Sequence, residues 1–145
     1  MERMKNVVIN PAALAKPSGY ANGILTDGGR LLFLAGQTGM GADGCIISPG
    51  DLVAQFTQAL TNMKAVVEEA GGQMTDIAKL TLLVTDKAAY AANLKPIGAS
   101  YRDFFGRYYP AMTLAEVKSL FDDQAMIEIE GMAVIDGSDF QSLEL

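Results

Sequence analysis

From Asp51 onward apolar side chains recur every three or four positions, at Leu52, Phe56, Leu60, Met63 and Val67, the spacing that lines one face of an α-helix. Asp51, after Pro49-Gly50, suits the N-cap, and Gly71-Gly72 supplies the stop. Before this helix the period is shorter. NVVIN is a brief extended run ended by Pro11, and PAALAKPSGYANG is a loop. GILTDGG and RLLFLAG are strand-like runs joined at Asp27-Gly28-Gly29, which predicts a tight hairpin, and GADG turns the chain into CIIS, so the opening third reads as a meander. IAKLTLLVTD has the β-branched and leucine-rich character of a central, buried strand. A second helix is expected from Lys87 to Phe105, with Pro96 as a kink or as its real start. MTLAEV and AMIEIEGMAVI are the last two strands. This order predicts an α+β fold in which one mixed β-sheet carries both helices on one face, the helix after the meander returning by a right-handed crossover.

At 145 residues the chain has the size of one domain, spanning 1–145, and no repeat, linker or low-complexity tract divides it. Half of it is hydrophobic and 19% is charged, a balance typical of globular chains, with apolar surface to spare for a subunit interface. A net charge of -6 with 11 Lys plus Arg argues against nucleic acid as a partner, because phosphate binding draws on basic clusters. Cys45 is the single cysteine, and neither a secretory leader nor an apolar run of about 18 residues is visible, so a cytoplasmic protein with no membrane partner is expected. Histidine is absent. That removes the commonest general base and metal ligand, so no metal or cofactor is expected and catalysis must rest on carboxylates, hydroxyls, lysine, backbone groups and water.

Few residues carry candidate chemistry. Glu128 and Glu130 alternate with isoleucines and share one face of their strand, which reads either as a solvent-facing edge or as a carboxylate pair for acid–base work. Tyr20 reads as a packed loop aromatic or a cleft phenol. Met112 reads as core, or as the apolar wall of a pocket for a neutral or aromatic ligand. Cys45 is expected to be an inert buried thiol. Arg102, Arg107 and Lys118 are the cations near these segments, and solvation at a helix or rim accounts for them. GQTGMGADG lacks the Gly-Lys-Ser/Thr of a phosphate loop and is turn-making.

LAGQTG at 34–39, the helix followed by AGG at 70–72, LTLLVTD, SYRDFFGRYYPA and IEIEGMAV together resemble the YjgF/Rid family of imine and enamine deaminases, in the same order from Pro11 to Ile135. The resemblance implies a chorismate-mutase-like homotrimer with the helices outside and small-molecule clefts between subunits. In deaminase members an arginine pairs with the substrate carboxylate while a glutamate and backbone groups hold the attacking water. By position it gives Tyr20 as the cleft tyrosine, Gly36 as the backbone contact and Glu128 as the glutamate beside the water. The family reads PAR where this chain has Pro110-Ala111-Met112, and Leu114 stands where many members have Cys or Thr. Methionine makes no bidentate bond to a carboxylate, so the usual 2-imino acids are not the expected substrates unless another cation, Arg107 foremost, has taken over. Two functions follow: a Rid-like hydrolase of a different small imine or enamine, using Glu128 and Tyr20 with Gly36, Met112, Leu114 and Arg107 at the substrate; or an inactive trimeric metabolite-binding or regulatory protein. A ribonuclease role fits the acidic chain least.

Overall fold

The computed structural model describes residues 6–136; the two ends of the expected 1–145 domain lie outside the described residues. Strand β6 (Ile127–Ile135) is flanked antiparallel by β3 (Arg30–Gln37) and β4 (Ile77–Val84), and β5 (Ala111–Glu116) runs parallel to β4, giving a mixed four-stranded sheet in the order β3-β6-β4-β5. Helix α1 (Leu52–Glu69) and helix α3 (Leu94–Phe105) pack on one face of it, and the short α2 (Lys87–Ala92) precedes α3. The expected α+β arrangement is found. No helix among the described residues is long and apolar enough to cross a membrane.

The five periodic residues of α1 all enter the core, where Phe56, Leu60 and Met63 meet a layer that includes Leu80, Ile127 and Ile129. Asp51 caps the helix by accepting the Ala54 N–H (3.0 Å). At the other end Gly71, at φ 88°, lets the Gly71 and Gly72 amides donate back to the Glu68 and Val67 carbonyls, the paired bonds of a Schellman stop.

Three expectations are corrected, the partner of β2, the CIIS strand and the burial of Cys45, and the place of Pro96 is decided. Strand β2 (Gly23–Leu25) pairs antiparallel with β1 (Val7–Ile9), while β3 pairs with β6. Gly28 and Gly29 do adopt positive φ, but the turn hands the chain from a two-stranded ribbon to the main sheet, because the longer apolar β3 finds its ladder on β6. CIIS forms no strand. The segment is a tight loop closed by a Met40–Ile46 bridge and by the Gly41 amide donating to the Cys45 carbonyl (2.9 Å), which leaves Cys45 exposed rather than buried. The second helix breaks at Asn93, and Pro96 falls in the first turn of α3, where its missing N–H costs nothing.

Two polar side chains among the described residues are buried, Gln55 and Asp76, and the first sits on the core face of α1. Gln55, fully buried on α1, accepts the Met126 N–H (2.8 Å) and donates to the carbonyls of Gln124 (3.2 Å) and Ser48 (3.4 Å). It ties the helix to the chain entering β6. Gln55→Leu strands these groups in the core, and urea unfolding is expected to show a loss of about 1–3 kcal/mol.

Candidate functional site

Strict alternation along β6 buries Ile127 and Ile129 under the helices and turns Glu128 and Glu130 to the opposite, open face. There the register sets Glu128 beside Leu83 and Glu130 beside Thr81. Glu128 is half-buried and Glu130 exposed. The difference comes from β3, whose pairing with β6 shifts register between Leu34 and Gln37, so that Ala35 and Gly36 stand outside the registered pairs. A Cβ on Gly36 would lie 2.5 Å from Glu128 Oε2. The Glu128 carboxylate therefore rests against the Gly36 backbone, in space that exists only because residue 36 has no side chain. Glu128 and Gly36, two of the expected site residues, thus lie against each other within the one chain.

Met112 lies on the other side of the sheet. Its register partner is Leu80, a core residue, and it lines a cavity of about 290 Å³ between the sheet and α3, with Leu80, Leu82, Tyr101, Gly98 and Arg102 around it. The tyrosines here are locked. Tyr101 stacks on Tyr109 (centroids 4.9 Å, 5° between planes) and donates to the Tyr108 carbonyl (2.9 Å). Burial raises the Tyr101 phenol above its ordinary range, reinforced by Tyr108, Tyr109 and Tyr90, and burial raises Tyr90 too. These phenols stay neutral at physiological pH and act as hydrogen-bonding walls, not as bases. Leu114, two residues beyond Met112, stands exposed on the edge strand β5 and is not part of this lining.

Tyr20 and Arg107 share a second cavity of about 540 Å³ with Lys16, Tyr108 and Tyr109. Gly19 and Tyr109 line both cavities, so the two are neighbours. Burial pushes the Tyr108 phenol up to about 12, opposed by its bond from Asn6 and reinforced by Asp76; it donates to the Ile77 carbonyl (2.5 Å). The six expected site residues thus divide into Glu128 with Gly36 on the open face, Met112 in the helix-side cavity, Tyr20 with Arg107 in the loop cavity, and Leu114 at the edge. Arg107, named first among cations that could serve beside Met112, does not line the Met112 cavity. Arg102 does, and nothing in the sequence sets it apart from other solvated helix cations.

The comparisons with known proteins agree with this architecture. A family model described as endoribonuclease L-PSP matches residues 11–135. A RutC family protein of Pyrococcus horikoshii is 35% identical over 131 residues, covering 90% of this chain and 98% of its own. The 2-iminobutanoate/2-iminopropanoate deaminase of Escherichia coli K12 is 35% identical over 127 residues, covering 86% and 91%. Among solved structures, the Rid family protein YyfB of Yersinia pestis, of unknown function, superposes with a TM-score of 0.81 at 33% identity, covering 91% of this chain and all of its own. With the mixed sheet, the two helices on one face and the Glu128–Gly36 contact in place, these matches show that the chain belongs to the YjgF/RutC/Rid family.

Proposed function

We propose that the protein is a Rid-type hydrolase that deaminates a small imine or enamine other than 2-aminoacrylate. The observation that supports it best is the half-buried Glu128 carboxylate lying against Gly36 at the bulge of β3. A carboxylate fixed beside unregistered backbone groups is arranged to take a proton from water as it adds to a C=N carbon, while the backbone meets the charge that develops. The proton then passes to nitrogen, the carbinolamine collapses, ammonia leaves and a carbonyl compound remains. Relatives named as 2-iminobutanoate/2-iminopropanoate deaminases favour this reaction class.

The separation of Glu128 from the Met112 and Tyr20 cavities favours a site completed by another subunit. The open face that carries Glu128 also exposes Leu31 (60%), Phe33 (69%) and Met132 (36%), apolar area that a neighbouring copy would cover. A homotrimer with ligands between subunits suits both facts, in a cytoplasmic setting that needs no cofactor. Met112 also favours a second reading, a binding or regulatory protein whose clefts no longer turn substrate over, since an apolar side chain anchors no carboxylate.

The chemistry is tested by Glu128→Gln, expected to lower imine hydrolysis by about 100-fold or more; unchanged turnover would overturn the role. Gly36→Ala is expected to do comparable damage at little cost in stability, because the far end of a flexible glutamate gives way and alanine gains ~0.5–1 kcal/mol over glycine inside a strand. If instead only Met112→Arg hydrolyses 2-iminopropanoate while the parent hydrolyses no imine, the binding-protein reading prevails. Light scattering is expected to give three times the 15.4 kDa chain mass for the parent and a single chain for Phe33→Lys, with turnover lost alongside.

A further inference from the structure

A groove on the helix side of the sheet, opposite the face that carries Glu128, lies open beside the edge strand β3. It encloses about 500 Å³ between Leu32 and the last turns of α1, with Ala65, Val66, Glu69 and Ala70 as its other walls. Val66 is 38% exposed, and a β-branched residue at such a position has lower helix propensity than alanine without a core contact in return. The chain meets this groove where β6 ends. Ile135 pairs with Arg30 at the start of β3, and the Arg30 guanidinium donates to the Asp136 carbonyl (2.9 and 3.2 Å). On the helix side a Cβ on Gly72 would lie 2.9 Å from Ile135 Cδ1. Asp136 is thereby held between the first residue of β3 and the turn that ends α1, at one end of the groove. Nine residues, GSDFQSLEL, follow it, beyond residues 11–135 that the family model matches.

We propose that this segment folds back across the start of β3 and seats Phe140 in the groove of its own chain, as a strap over the edge of the sheet. Reach, volume and charge agree. Phe140 is four residues past Asp136, a span of up to about 13 Å, and Leu32 is two residues along β3 from Arg30, about 7 Å. A groove of about 500 Å³ admits a phenyl ring with chain to either side of it. The stretch from Phe140 to Leu143 is uncharged, which suits a lining whose one charge is Glu69, while Asp139 and Glu144 flank it in solvent. The other end of the chain leaves elsewhere, at Asn6, which donates to the Thr75 carbonyl and the Tyr108 hydroxyl just ahead of β4, with β6 standing between β4 and β3. The strap holds β3 against α1 four residues ahead of Gly36, and it does so whether or not the protein turns substrate over.

The sequence has no tryptophan, so Phe140→Trp in the full chain carries a single indole reporter. Its emission is expected to lie to the blue of free tryptophan, with acrylamide quenching slowed severalfold. Val66→Glu in the same chain should return both to the free values while far-UV circular dichroism stays unchanged. A second measurement keeps the native ring and decides alone where the larger indole does not fit. Phe140→Ser and Val66→Glu should each lower the melting temperature by about 2–5 °C, and the double variant by no more than one of them, the non-additivity of two partners in one contact. Additive or absent melting shifts, or shielding that survives Val66→Glu, would overturn the proposal. Shielding that grows with protein concentration, or that chains carrying both Phe140→Trp and Val66→Glu regain on refolding with an excess of the parent, would put the ring in another copy's groove and overturn docking within one chain.

Discussion

Burial of α1 on β6 and β3 fixes which way every side chain of the central strands points. Phe56, Leu60 and Met63 press on Ile127, Ile129 and Leu80, and each fully buried side chain of that size is worth about 1.5–3 kcal/mol relative to exposure. A slip of one residue in β6 would exchange Ile127 and Ile129 for Glu128 and Glu130 under the helix, placing unpaired carboxylates in the core. The register is therefore held by the isoleucines, and the acids take their place on the open face as a consequence. Gln55 adds a polar constraint at the same joint by fixing the Met126 amide just ahead of the strand. Glu128 is positioned by the core rather than by its own contacts.

What separates Glu128 from Glu130 is local. Both lie on one face, but only Glu128 faces the interruption in the β3–β6 ladder and the bare backbone of Gly36. Any other residue at 36 would have its Cβ inside the carboxylate's volume. The bulge and the glycine act together, the first by taking backbone out of the ladder and the second by letting a charged group approach it.

Periodicity made α1, its cap and stop, β4 and β6 legible in the sequence, because each rests on a local pattern long enough to bury a face. The partner of β2 was not legible. Asp27-Gly28-Gly29 encodes a turn, and a turn does not encode whether the strands it joins pair with each other or with strands a hundred residues away. CIIS failed as a strand for the opposite reason: four apolar-leaning residues followed by Pro49-Gly50 have no neighbour to complete a ladder beyond the Met40–Ile46 bridge. At the site, Glu128 and Gly36 were reachable through family resemblance and alternation. The Met112 cavity was not, since a polar or apolar letter in an edge strand does not say which helix face closes over it, and Arg102 looks in sequence like any solvated helix cation.

The division of the candidate site between the two faces of one sheet has a physical consequence for how such a protein changes substrate. The open-face carboxylate is tied to the register of β6, so it is difficult to alter without disturbing the core beneath it. The helix-side cavity is bounded by α3 and the edge strand β5, whose residues 113–116 are exposed, and substitutions there cost little stability. The two parts of the candidate site thus rest on elements of unequal tolerance. A residue such as Met112 can therefore be exchanged on the tolerant side while the Glu128–Gly36 contact stays fixed on the constrained one.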